Sequence, residues 1–230
     1  VAVGTVSLPV LSKAFKQKNL SKISNIQTKS LELSLLLSIP ASVGIILISE
    51  QIVNALFGYG SFTEENINMT ALALKYFGFG VPAFALIKIL SNFYFARNDT
   101  QTPFYISSFI VGLNVSISLI FFKTFGFLII PIATTISTWV GVSIYLFYLN
   151  KKNFLLINNT LFKKIFMIIF NTVLMSVILI FVINYYQDYL DYYYKYKSIY
   201  MILIVGFVVG IYLISSYVTG LLKEKNFKMN

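Results

Sequence analysis

The chain has 230 residues, of which 57% are hydrophobic, 17% aromatic and only 11% charged; its net charge is +10 and it holds neither Cys nor His. A soluble domain carries about 25% charged residues, so these cannot coat a water-facing surface, and disordered, collagen-like and ordinary cytosolic-enzyme classes are excluded. What is left is an integral membrane protein with no disulfide, no thiolate or imidazole metal site and no Cys nucleophile.

A helix crossing about 30 Å of hydrocarbon needs about 20 mostly apolar residues. The chain opens at Val1 inside an apolar run with no signal-peptide pattern before it, and Val1 to Leu11 reads as a span whose upstream part is missing. Six full candidates follow: Leu31 to Ser49 (reaching toward Phe57), Met69 to Phe95, Pro103 to Phe122, Phe127 to Leu149, Ile165 to Tyr185 and Ile199 to Leu222. Pro103 suits the first turn of its helix. The expected fold is all-α, a polytopic membrane bundle of six full spans and one truncated.

The loops test that division. Residues 12–30, 96–102, 150–164 and the tail after 222 hold thirteen Lys and Arg, whereas 58–68, 123–126 and 186–198 hold three. Basic residues gather in cytoplasmic loops, which places the first set, and the C-terminus, inside. A charge of +10 would suggest nucleic acid in a soluble protein; here it is spent on topology, and no nucleic-acid partner is expected. The Tyr-dense loop 186–198 reads as an aromatic belt at the outer interface, with a sugar-stacking platform as the alternative.

Charge inside a span is costly and marks function by default. Glu32, Glu50 and Lys75 lie near helix ends, where long side chains snorkel to the headgroups. Lys88 lies deeper, about 10 Å from its inner helix end, with Ser91 and Asn92 at i+3 and i+4. It either snorkels or faces a watery cavity suited to an anionic substrate. Ser107, Asn114 and Ser118 form one stripe, and Thr134, Ser137, Thr138 and Gly141 another. Each serves close helix packing or lines a pathway. Gly206 and Gly210 form a GxxxG whose plain role is packing. Pro9, Pro40, Pro82 and Pro131 interrupt helix bonding, and Gly78, Gly80 and Pro82 together mark a hinge. No carboxylate pair lies in a span and no P-loop occurs, so no enzyme is expected.

Three stretches are familiar as a set: VAVGTVSLPVLSKAF at 1–15, SIPASVGIILISEQIVNALFGYGSFT at 38–63 and LKYFGFGVPAFALIKILSNFYFARNDTQTP at 74–103. In this order they resemble segments of the MurJ (MviN) lipid II flippases of the MATE-like MOP superfamily. The resemblance runs colinearly to about residue 150; the rest matches as two further spans.

The resemblance implies fourteen helices, in which two six-helix lobes rock about a central cavity and two extra C-terminal helices form a groove for a lipid tail. It implies translocation of lipid II, an undecaprenyl-pyrophosphate-linked muropeptide, across the bacterial inner membrane for peptidoglycan synthesis. Residues 1–150 would then be the C-terminal lobe with its first helix truncated. Residues 151–230 would be the two additional helices and a cytoplasmic tail. The partners would be lipid II, membrane lipid and a missing N-terminal lobe, with the essential cavity arginines upstream of Val1. Lys88 takes the place of a family lysine, which makes Lys88, Ser91 and Asn92 the substrate-cavity candidates. Arg97, Asp99, Thr102 and Pro103 take the place of a cytoplasmic loop motif, with Asp99 capping the next helix. Some members hold sodium with an Asn and an Asp one turn apart plus a Thr and a carbonyl on the next helix. Asn114, Thr134 and Ile130 fit those places, but Ser118 stands where the Asp would be, and a lost charge weakens hold on a hard cation. Na+ is the one cofactor the resemblance suggests, as a coupling ion. The alternatives are a superfamily flippase for O-antigen or teichoic precursors, and a non-transporting scaffold.

Overall fold

The computed structural model describes the backbone of residues 2–222 and the side chains of residues 7–222; the tail lysines 223, 225 and 228 and Glu224 lie outside the described residues. Seven helices follow one another: α1 (Ala2–Lys16), α2 (Leu20–Phe57), α3 (Glu64–Phe95), α4 (Gln101–Phe125), α5 (Ile129–Lys151), α6 (Thr160–Tyr185) and α7 (Lys197–Val218). Single 3-10 turns occupy Gly126–Leu128 and Gln187–Leu190. No strand occurs among the described residues.

Five stretches are long and apolar enough to cross a membrane, one of them the 51 residues Gln101–Lys151. As a single straight helix that stretch would be about 75 Å long, over twice the hydrocarbon thickness. It is instead a hairpin. Gly126 takes φ +58, a left-handed conformation open to glycine at no steric cost, and turns the chain back. Asn114 then pairs with Thr134, and Tyr145 with the Pro103 carbonyl, as antiparallel neighbours require. α1, at 15 residues, is shorter than a span.

The helices run further than hydropathy predicts. The Lys-rich stretch 12–30, expected as a loop, is helical except at residues 17–19. Asn19 caps α2 by accepting from the Lys22 N–H at 3.0 Å. Beyond the bilayer the helix is kept by polar docking. Gln27 donates to the Phe154 carbonyl and accepts from the Leu156 N–H, and Thr28 accepts from the Asn158 N–H. At the other end Thr63 caps α3 five residues earlier than the apolar run predicts, with Glu64 and Glu65 against the positive helix start.

Prolines open the ladder without bending every helix. Pro40 cannot donate to the Leu36 carbonyl and Pro82 cannot donate to that of Gly78. Both oxygens are claimed from other helices: Tyr212 donates to Leu36 at 2.8 Å and Ser42 to Gly78 at 2.7 Å. The expected hinge at Gly78–Pro82 is a packing site, since a Cβ on Gly78 would press on Ile45 and Ile46, and one on Gly80 on Phe84 and Thr135. The backbone irregularity lies instead in α2, at Ile48 (φ −126, ψ 27).

α2 is shared by two cores. One joins α1, α3, α5 and the start of α2 around the fully buried Phe93, Tyr94, Tyr145 and Leu149. The other joins the middle of α2 to α6 and α7 around Ile168, Met175, Leu179 and Val208. The GxxxG of α7 belongs to neither. Gly206 and Gly210 meet nothing within 4 Å, so packing within the described chain is not their use.

The fold gathers alternate loops. Residues 96–100 and 152–159 meet at one end beside the start of α2, tied by Gln27, Arg97 and Lys152; residues 58–63 and 186–196 meet at the other, tied by Tyr192 and Lys197.

Candidate functional site

Between α2, α6 and α7 lies an apolar groove with a cavity of about 340 Å³. Its floor is the small-residue face of α2, Pro40, Ala41 and Gly44, followed by Ile48; Met175 lies across on α6, and Val205 and Tyr212 on α7. Gly44 has no side chain and no neighbour within 4 Å of where one would be, which is how the space arises. One polar group borders the groove, the Tyr212 hydroxyl, and it is spent on the carbonyl that Pro40 leaves open.

Polar ties bracket the apolar stretch. One turn before Leu36, Glu32 is 2% exposed and pairs with Lys164 at 2.6 Å, joining α2 to α6. Snorkelling, expected for Glu32, does not occur, because a partner 132 positions later reaches it inside the bundle. Asn171 donates to Thr219 at 2.9 Å and joins α6 to α7. At the opposite end Lys197 is fully buried.

The substrate-cavity candidates part company. Lys88 is exposed on the outer surface of α3, whereas Ser91 and Asn92 are buried. Ser91 donates to the Lys88 carbonyl, and Asn92 reaches Ser7 of α1 at 3.5 Å. Asn92 therefore helps seat α3 on α1, Ser91 bonds within its own helix, and Lys88 alone of the three is exposed.

The two polar stripes meet at the α4–α5 interface. Asn114 Nδ2 donates to Thr134 Oγ1 at 2.8 Å, and Thr134 Oγ1 donates to the Ile130 carbonyl at 2.7 Å. Ser118 Oγ is shielded from solvent and has no partner. The candidates are brought together, but as a hydrogen-bond chain. Asn114 presents a hydrogen to Thr134 and Thr134 presents its own to the carbonyl, and no carboxylate joins them. A hard cation prefers charged and carbonyl oxygens, and this donor set as arranged does not fit one.

The loop motif is a joint. Asp99 accepts from the Thr102 N–H at 2.9 Å and its hydroxyl at 2.8 Å, and so caps α4 as expected. Pro103 is buried in the first turn. Burial opposes the Asp99 charge, but the Thr102 bonds and Lys152 at 3.4 Å outweigh it and hold the carboxyl below its ordinary value. Arg97 lies between the rings of Phe15 and Phe154, 4.1 and 4.0 Å from their centroids, and donates to the Phe93 and Phe154 carbonyls. Burial pushes it down to about 10, which leaves it cationic at neutral pH. In the Tyr-dense loop, Tyr189 and Tyr200 stack at 4.7 Å with Tyr186 and Tyr194 around them. Tyr193 and Tyr196 of the same loop stay exposed.

Residues 1–205 match the family model described as lipid II flippase MurJ. The chain belongs to the MurJ family. It is 34% identical over 149 residues to the probable lipid II flippase MurJ of Rickettsia prowazekii, covering 65% of this chain and 29% of that protein. It is 38% identical over 141 residues to that of Rhizobium meliloti, covering 61% and 26%. A solved structure described as lipid II flippase MurJ in an inward closed conformation matches with a TM-score of 0.74 at 26% identity, covering 95% of this chain and 42% of that one. The chain thus spans under a third of the two curated relatives and 42% of the solved structure. Like them the chain is a multi-pass membrane protein, built on the MurJ helical fold, of a transporter family and not an enzyme family.

Proposed function

We propose that this chain is the C-terminal lobe and tail-groove pair of a flippase that moves lipid II from the inner to the outer leaflet of the bacterial inner membrane, for cell wall synthesis. The observation that carries the reading is the apolar groove of α2, α6 and α7. Its middle is bare of polar groups and its ends are polar, which suits a polyprenyl tail that stays in hydrocarbon while its headgroup crosses. Residues 1–150 form the lobe and 151–230 the additional pair. The end that gathers the basic loops is cytoplasmic and carries the C-terminus.

In this mechanism, as the resemblance implies, the pyrophosphate enters a cationic cavity between this lobe and an N-terminal one. Lys88, exposed on α3, contributes a positive charge to that cavity, because an ammonium attracts the headgroup wherever water is excluded. Rocking of the lobes reopens the cavity outward, and the bias comes from unequal affinity for the two states.

The test is rescue of flippase-depleted cells by the full-length protein that carries this sequence. Rescue is expected; its failure overturns the assignment. Lys88→Ala is expected to impair rescue at unchanged membrane abundance, and full rescue by that variant removes Lys88 from the cavity.

A further inference from the structure

Lys197 begins α7 and is fully buried, yet none of the described carboxylates lies within ion-pair distance of it; Asp191 attracts it only from farther off. Its ammonium is caged by other means. Nζ donates to Asn54 Oδ1 at 2.9 Å, to the Gly58 carbonyl at 2.6 Å and to the Tyr192 carbonyl at 2.6 Å, which uses all three hydrogens. The rings of Tyr59 and Tyr192 face it at 4.5 and 4.7 Å, in the range where an aromatic quadrupole attracts a cation.

The position is electrically one-sided. A cation at the start of a helix is repelled by that helix's dipole, whereas one at a helix end is attracted. Lys197 belongs to α7 by sequence but lies against the end of α2, where Asn54 and Gly58 present their oxygens. Gly58 leaves room for this approach, since a Cβ there would collide with Asn54 and lie 3.0 Å from Nζ. Ser198 adds a bond of 2.6 Å to the Ala55 carbonyl. The charge therefore ties the first turn of α7 to the last turn of α2. It has no hydrogen left for a ligand, which excludes it as an anion-binding group.

The tie stands at the outer end of the groove. Ile52 and Val205 line that end; Asn54 is two residues beyond the first, and Lys197 is about 12 Å of helix beyond the second. Toward the other end α7 is held by Tyr212 on the Leu36 carbonyl. We propose that Lys197 is a positioning residue which holds the outer end of α7 against α2 and thereby sets the width of the outer half of the groove. This rests on the reading that the groove takes a lipid tail. Without the cage, α7 pivots about Tyr212 and the outer half opens.

The sequence contains no Cys, so introduced pairs report cleanly. Ile52→Cys with Val205→Cys spans the outer half, and Leu37→Cys with Leu213→Cys spans the inner. In the chain inserted in bilayers, a short bifunctional thiol reagent measures how often each pair comes together. Lys197→Met is expected to slow the outer cross-link about tenfold, as loss of charge-assisted bonds implies, with the inner one unchanged. An outer rate equal to that of the parent overturns the proposal. If Lys197→Met slows both pairs through misfolding, Tyr59→Leu compared with Tyr59→Phe decides, since both lose the hydroxyl bond to Ser198 and only the first removes the ring. A selective outer loss of about threefold supports the proposal, and no selective loss overturns it. A long-chain alkyl diazirine tests the groove separately. Failure to label the parent groove sinks the tail reading and leaves the cross-linking result standing. Labelling that shifts to the outer half in Lys197→Met joins the two.

Discussion

α2 faces two neighbours and holds them differently. Toward α3, and through it α5, backbones approach closely at Gly78 and Gly80, and Gly141 of α5 has Ile87 and Ile110 where a side chain would be. Toward α6 and α7, polar ties at the ends frame an apolar space. Both faces use a proline-opened carbonyl, Gly78 on one and Leu36 on the other, so the chemistry of the bond is not the difference. Lipid tails are as apolar as Leu and give helices no hydrophobic reason to associate. Dense packing answers that on the first face. On the second, fixed ends answer it and leave a volume that does not close.

The largest expected effect breaks the tied face. Lys164→Met leaves Glu32 buried without its ion pair and is expected to cost about 3 kcal/mol of stability in detergent unfolding; adding Glu32→Leu should recover most of it. A small loss in the single variant would mean that α6 is held by packing after all. Next, the packed face is overfilled by Gly141→Val, since a Cβ there collides with Ile110. About 2 kcal/mol should be lost, while Gly206→Val, with open space around it, should change stability by less than about 0.5 kcal/mol. Equal effects would mean that the packing of α5 on α3 and α4 is no tighter than the open surface of α7.

Finer tests compare the two carbonyls. Ser42→Ala and Tyr212→Phe each orphan one, and each should cost about 1 kcal/mol. A much larger loss for Tyr212→Phe would show that the tied face leans on fewer bonds. The smallest effect is at the joint. The Asp99 carboxyl is held below its ordinary value, so its contribution is present above the unfolded carboxylate range and lost as pH falls through the lowered folded value. Melting measured from pH 6 down past about pH 4 should show this loss, and Asp99→Asn should flatten it.

Much of the fold was legible, because apolar runs and basic loops are local signals. Phe127 to Leu149 is α5 displaced by two residues toward the N-terminus at each end, and the alternation of charge predicts which loops meet. Where the chain left the bilayer, hydropathy lost its guide. Gln27 and Thr28 extend α2 by docking residues some 130 positions away, and no window contains both partners. The site was legible in part. Asp99 announces its cap three residues ahead, and spacing alone aligns Asn114 with Thr134. Lys197 reads from sequence only as one of the sparse outer bases, because its cage is made of an amide oxygen, two backbone oxygens and two rings, most of them from residues 54–59, some 140 positions away.

The borrowed carbonyls carry a consequence for inheritance. If Pro40 changes to an ordinary residue, the Leu36 oxygen regains a bond within its own helix and keeps a second lone pair for the Tyr212 hydroxyl. If Tyr212 changes first, the oxygen loses its donor and is stranded beside oil. The order therefore matters: descendants are expected to lose Tyr212 only where Pro40 has already gone, although 172 positions separate them.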